Sequence, residues 1–136
     1  MLTSARRLFR DEATDPHLLR ADAATFGAAD FGVEGFDRIM ISYALSMIPD
    51  WEGAVDASLA ALAPGGSLHI VDFGHQEGLP RWFRSLLRRW LARFRVTPRA
   101  RLHEALEERL EQAEADMIFE AIGGGYAWHA IVRKRT

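Results

Sequence analysis

The chain contains no cysteine, which excludes disulfides and thiolate metal sites and allows, without requiring, a reducing compartment. No apolar run approaches the roughly 20 residues of a membrane-spanning helix, and the opening MLTSARRLFRDEAT carries charge too early and too often for a secretory signal. An excess of one charge sign is missing too. With 17 Lys and Arg against 19 Asp and Glu, the formal net charge is -2, so nothing in the bulk composition points to nucleic acid. There is no internal repeat, and His17, His69, His75, His103 and His129 show no metal-ligand spacing. What remains is 136 residues, 49% hydrophobic and 26% charged, enough for one soluble globular domain with a modest core. The near-neutral total hides two opposed regions: residues 81–101 are rich in arginine, whereas Glu104, Glu107, Glu108, Glu111, Glu114, Asp116 and Glu120 follow closely.

Helix and strand signals alternate along the chain. Residues 1–9 read as helical, and His17-Leu18-Leu19-Arg20 is a short strand candidate before a polar, glycine-bearing stretch. Phe36 to Ser42 has the apolar, β-branched character of a buried strand, and Trp51, Val55, Leu59 and Leu62 fall at helical spacing. Pro64-Gly65-Gly66 then breaks the chain before a strand containing Leu68, Ile70 and Val71. It is a turn and not a phosphate loop, since no strand-to-helix context surrounds it. Helices are expected near 80–95 and 98–113, with Pro98 starting the second. Met117-Ile118-Phe119 and Tyr126 to Val132 flank Gly123-Gly124-Gly125 as an antiparallel hairpin. Such alternation implies an open, doubly wound α/β fold that takes ligands beyond the carboxyl ends of its strands.

The stretch FDRIMISYALSMIPDWEGAVDASLAALAPGGSLHIVDFG resembles the fourth strand, following helix and fifth strand of class I S-adenosylmethionine-dependent methyltransferases. In that family a Phe-Asp strand precedes a helix and a Leu-x-Pro-Gly-Gly turn. RADAATF is similar to the segment after the family's third strand, where an Asp-Ala pair contacts the adenine, and the terminal hairpin resembles its sixth and seventh strands. SYALSMIPDW with HIVDFGHQEGLPRWFRSLLRRWLARFRVTPR is most similar to bacterial N-methyltransferases of lipid head groups, the betaine-lipid (diacylglyceryl-homoserine) branch above all. The resemblance implies a partial Rossmann-like fold, a mostly parallel sheet closed by an antiparallel hairpin. Residues 1–136 would be the carboxyl-terminal portion of a single methyltransferase domain.

By the same comparison, the first two strands and the glycine-rich loop are absent, and MLTSARRL resembles the helix after the second strand. The family's strand order, 3-2-1-4-5-7-6, would place both absent strands beside Phe36 to Ser42. About five buried side chains per strand, at about 1.5 to 3 kcal/mol each, rival the whole net stability of an ordinary domain. Marginal stability, a self-pairing Phe36 to Ser42 edge, and no detectable cofactor binding by this chain alone are therefore expected. A sheet rearranged to set the third strand beside the fourth is the other way to cover that edge.

The resemblance also implies S-adenosyl-L-methionine as cofactor and an amine as acceptor. Asp22 would accept a hydrogen bond from the adenine amino group beside the Ala23 backbone, and Ser42, Tyr43 and Ala44 would meet the methionine part. Tyr43 is the catalytic candidate, holding a cationic nitrogen by its ring and orienting the amine by its hydroxyl; Asp72, Tyr126 and Trp128 are candidates on the substrate side. Each has a plainer alternative: Asp22 a turn or cap, Tyr43 a core aromatic, Asp72 a helix cap. No metal is implied.

RWFRSLLRRWLARFRV, residues 81–96, would as a helix carry Trp82, Phe83, Leu86, Leu87, Trp90, Leu91 and Phe94 along one stripe, bordered by arginines that include Arg88 and Arg89. Either that stripe packs on the core, or Trp82, Phe83, Trp90 and Phe94 enter the headgroup region of an anionic membrane while the arginines meet its charge. The acidic segment that follows could instead neutralise these arginines within the protein. Three functions stay open: a lipid N-methyltransferase, cytoplasmic or peripheral at the inner membrane face; a methyltransferase for a soluble small molecule; and an inactive membrane-binding or oligomerising module.

Overall fold

Ile39 and Ile41 project to one side of a strand while their neighbours project to the other. In the computed structural model, which describes residues 18–73, 80–93, 101–123 and 126–136, they lie in β1 (Phe36–Ser42). Helix α1 (Trp51–Ala61) starts where the Asp50 carboxylate accepts the Gly53 N–H at 3.1 Å, one of the donors a helix start leaves without an internal partner. It runs directly into β2 (Leu62–Phe73). Next come α2 (Arg81–Arg93), α3 (Leu102–Ala113), β3 (Ala115–Ile122) and β4 (Ala127–Lys134). Short 3-10 helices cover Ala28–Phe31 and Leu45–Met47.

The four strands form one sheet in the order β1-β2-β4-β3. β1 and β2 are parallel, while β4 runs antiparallel to both β2 and β3. This is the α/β arrangement expected, with its carboxyl-terminal antiparallel hairpin; among the described strands the sheet is mixed. Leu68, Ile70, Ala130 and Val132 turn to one face and pack with Val55 and Leu59 of α1 and Leu102 and Leu106 of α3. Leu102, Ala105 and Leu106 recur at helical spacing and are all buried. Helix α3 ends on Glu114, whose φ of 52° gives the left-handed turn usual at a helix end. Lys134 Nζ donates to the Leu59 and Leu62 carbonyls at 3.5 and 3.3 Å, satisfying acceptors where α1 runs out.

The expected Pro64-Gly65-Gly66 turn is an excursion within β2. Pairing jumps from Phe36↔Leu62 to Arg38↔Ser67, so the intervening residues loop out of register. Gly65 there has φ +80°, and a side-chain carbon at Gly66 would stand 2.8 Å from the Phe36 carbonyl oxygen. Both positions require glycine.

The expected third strand does not form at Leu18-Leu19-Arg20, which carries no strand geometry. A strand needs a partner ladder, and among the described residues none pairs with these. The rearranged sheet is not formed either, so β1 is the outer strand of the described sheet, with Met40 68% exposed. The expected helix over 1–9, His17, His75, Phe94 and Pro98 lie outside the described residues. Among the described residues no helix is long and apolar enough to cross a membrane.

Candidate functional site

In an α/β sheet the carboxyl ends of parallel strands form the ligand side, and here those ends are Ser42 of β1 and Phe73 of β2. Two groups of side chains lie there, joined through the segment Ser42-Tyr43-Ala44.

The first group lines a cavity of about 370 Å³, within the range of small-molecule sites. Asp22, Ala23, Ser42 and Ala44 all border it, with Leu19, Phe26, Phe31, Ile39 and Ile41 supplying apolar walls. The structure thus gathers four of the five residues expected at the cofactor. Asp22 is also a turn residue: its Oδ1 accepts the Ala24 N–H at 2.8 Å and its carbonyl accepts the Phe26 N–H at 2.9 Å. The plainer alternative is therefore realised at Oδ1, and it fixes the direction of the carboxylate.

Tyr43, the fifth residue, joins the second group. Its φ of 52° is uncommon outside glycine and asparagine, and its N–H donates to the Val71 carbonyl at 2.7 Å, which extends the β1–β2 pairing by one bond. This backbone sets the ring 5.1 Å from that of Phe73, which lies 5.7 Å from Tyr126 and nearly perpendicular to it. Tyr43 is 41% exposed, while Phe73 and Tyr126 are half-buried. Three rings therefore meet at the end of the parallel pair. Phe73 had no place among the sequence candidates, although its position at the end of a strand whose Leu68 and Ile70 face inward marks it as outward-facing.

Two substrate candidates sit elsewhere. Trp128 is 8% exposed and belongs to the core, its ring 5.4 Å from Phe119; strand alternation places it with Ala130 and Val132, away from the three rings. Asp72 is fully buried. Its Oδ2 accepts the Ser46 N–H at 2.9 Å and its Oδ1 the Phe73 N–H at 2.8 Å. Both carboxylate oxygens are spent on the backbone, so Asp72 acts on the site by pinning the 3-10 helix that follows Tyr43. Beside it the buried Ser46 Oγ has no hydrogen-bond partner.

Outward from the rings, His69 of β2 stacks on His129 of β4 with centroids 6.2 Å apart, and its Nε2 is 2.9 Å from Ser67 Oγ. Burial, then the charges of His129, Arg38 and Arg133, hold the His69 pKa below the usual histidine value. Among the described residues no three His, Asp or Glu side chains converge as a metal site requires.

No protein-family model matches this chain, and no curated protein matches it by sequence. Solved structures do match by shape. A possible exported protein of Bordetella parapertussis aligns with a TM-score of 0.72 and 22% identity over 99% of this chain. An O-methyltransferase family protein of Burkholderia thailandensis aligns at 0.67 and 13% over 98%. A SAM-dependent methyltransferase of Thermotoga maritima, a possible histamine N-methyltransferase, aligns at 0.64 and 14% over 96%. The fold is that of the S-adenosylmethionine-dependent methyltransferases. The chain spans 50%, 40% and 69% of those three proteins. The cavity and the three rings thus lie at the carboxyl ends of the parallel strands in a sheet whose fold matches those proteins.

Proposed function

We propose that this chain serves S-adenosylmethionine-dependent methyl transfer to an amine, with the amino head group of a lipid as the acceptor. The observation that carries the reading is the meeting, across Ser42-Tyr43-Ala44, of an apolar cavity holding Asp22 with a partly open group of three aromatic rings. The cavity suits the adenine end of the cofactor. Phe26, Phe31, Ile39 and Ile41 offer apolar walls, and the Asp22 oxygen not used by Ala24 can accept from an amino group. Among the described residues Asp22 is the single carboxylate lining it.

When bound, the cofactor supplies a methyl group on a sulfonium. An uncharged acceptor nitrogen would take that methyl group through its lone pair, the electrons of the broken C–S bond staying on sulfur. Positioning governs such a step, and the chain's residues supply it. The Asp22 carboxylate and the Ala23 backbone fix the nucleoside, while the Tyr43 ring, backed by Phe73 and flanked by Tyr126, holds the nitrogen as it gains charge. Cation-π attraction contributes about 0.5 to 2 kcal/mol to holding it there.

Amide-resolved NMR tests both halves. The sequence-based expectation is no detectable cofactor binding; with the cavity formed, adenosine and S-adenosylhomocysteine are instead expected to shift the Ala23, Ala24 and Ser42 amides with a dissociation constant of roughly millimolar, about -4 kcal/mol. Tetramethylammonium is expected to move the Tyr43 and Tyr126 ring signals, and not in Tyr43→Leu. Silence around Asp22 overturns the cofactor assignment; unmoved rings overturn the amine acceptor.

A further inference from the structure

Among the described helices of ten or more residues, α2 (Arg81–Arg93) contributes no residue to the core cluster. The core is closed by α1 and α3, whereas Trp82, Phe83, Leu86 and Trp90 of α2 are 67, 41, 56 and 53% exposed. Trp82 and Phe83 pack edge to face on each other with centroids 5.8 Å apart, so the large rings present a joint surface. The same 13 residues carry Arg81, Arg84, Arg88, Arg89 and Arg93 and no acidic residue. Of the described carboxylates, Glu52 and Glu108 pair with Arg101, Asp56 pairs with Arg109, and Glu107 lies 3.4 Å from His103.

We propose that α2 is a docking surface for an anionic lipid bilayer, its Trp82, Phe83, Leu86 and Trp90 side entering the headgroup layer with the arginines meeting lipid phosphates. Charge complementarity selects this occupant. Two copies of α2 would each bring five arginines to a shared contact, where like charges repel. An anionic surface attracts all of them, and interfacial helices combine this aromatic and basic make-up with modest overall hydrophobicity. Only residues 74–80 separate α2 from Phe73. That reach is at most about 28 Å, so α2 begins within that distance of Phe73. The lipid acceptor of the proposed function is thereby supplied from the surface on which the protein rests. Docking is nevertheless read without any methyl donor, so absence of transfer and absence of binding are separate results.

The test is sedimentation of the full chain with phosphatidylglycerol or phosphatidylcholine vesicles. Binding is expected to phosphatidylglycerol alone, weakening as salt rises. Trp82→Ser with Trp90→Ser is expected to reduce partitioning by about tenfold or more. Arg81→Gln with Arg89→Gln, both exposed, is expected to reduce it by about fivefold per arginine; this second pair decides the matter if far-UV circular dichroism shows that the tryptophan pair has lost its fold. No sedimentation with phosphatidylglycerol, equal sedimentation with phosphatidylcholine, or wild-type partitioning by the folded variants overturns the inference. So does a dimer in sedimentation velocity that the tryptophan pair converts to monomer, which assigns the surface to a second copy of the chain.

Discussion

Asp72→Ala removes the one carboxylate that ties β2 to the segment carrying Tyr43. Two backbone donors, Ser46 N–H at 2.9 Å and Phe73 N–H at 2.8 Å, lose their acceptor in a place with no solvent exposure. A hydrogen bond to a charged group contributes about 1.5 to 3 kcal/mol, so the expected loss is about 3 to 6 kcal/mol. Domains of this size are stable by about 5 to 15 kcal/mol. Asp72→Asn keeps one acceptor oxygen but turns an amine toward the other donor, and roughly half the loss is expected. Urea unfolding of the three chains, followed by far-UV circular dichroism, gives the order wild type, Asp72→Asn, Asp72→Ala in falling midpoint with an unchanged slope. The variants should also show weakened coupling between the Tyr43 and Phe73 rings in nuclear Overhauser spectra, because the 3-10 helix after Tyr43 loses its anchor. A cost below about 1 kcal/mol for Asp72→Ala would refute the reasoning, since it would mean that water reaches both donors at no expense.

Ser46→Ala deletes a buried hydroxyl that has no partner and is expected to raise stability by about 1 kcal/mol, read as a higher urea midpoint; a drop of that size would show that the hydroxyl is hydrogen-bonded in solution. The depressed pKa of His69 makes a pH prediction with a definite sign. Below pH 6.5 the unfolded chain takes up the proton before the folded one does, so stability falls as pH drops from 6.5 toward the folded-state pKa and is regained above 6.5. His69→Gln is expected to flatten this component in unfolding midpoints taken from pH 5 to 7.5, and a steeper profile in the variant would contradict the assignment.

Much of this architecture was legible in the sequence where a period was strong. Trp51, Val55 and Leu59 mark α1, and the apolar run through Ile39 and Ile41 marks β1, because a helix face and a strand face repeat at different intervals. The hairpin was visible from its glycines. Leu18 to Arg20 misled because two leucines suffice for strand character but not for a ladder; pairing is a property of a neighbour that local residues do not contain. Asp72 and Trp128 were placed on the substrate side by their position near strand ends, yet each continues the inward alternation of its strand, Leu68-Ile70-Asp72 and Trp128-Ala130-Val132. Parity along the strand outweighs proximity to its end. The burial of Asp72 was hidden by its charge, which only the two backbone donors from distant segments make tolerable.

Asp72 and Phe73 are consecutive in β2 and serve opposite sides of the sheet, one clamping the loop after Tyr43 and the other forming the middle of the ring group. A slip of β2 by a single residue would exchange their orientations, driving the ring inward and stranding the carboxylate outside. The loop clamp and the ring surface would vanish together. Correct alignment of β2 during folding is therefore also the assembly step of the site, and a misaligned chain has no partly working form to fall back on.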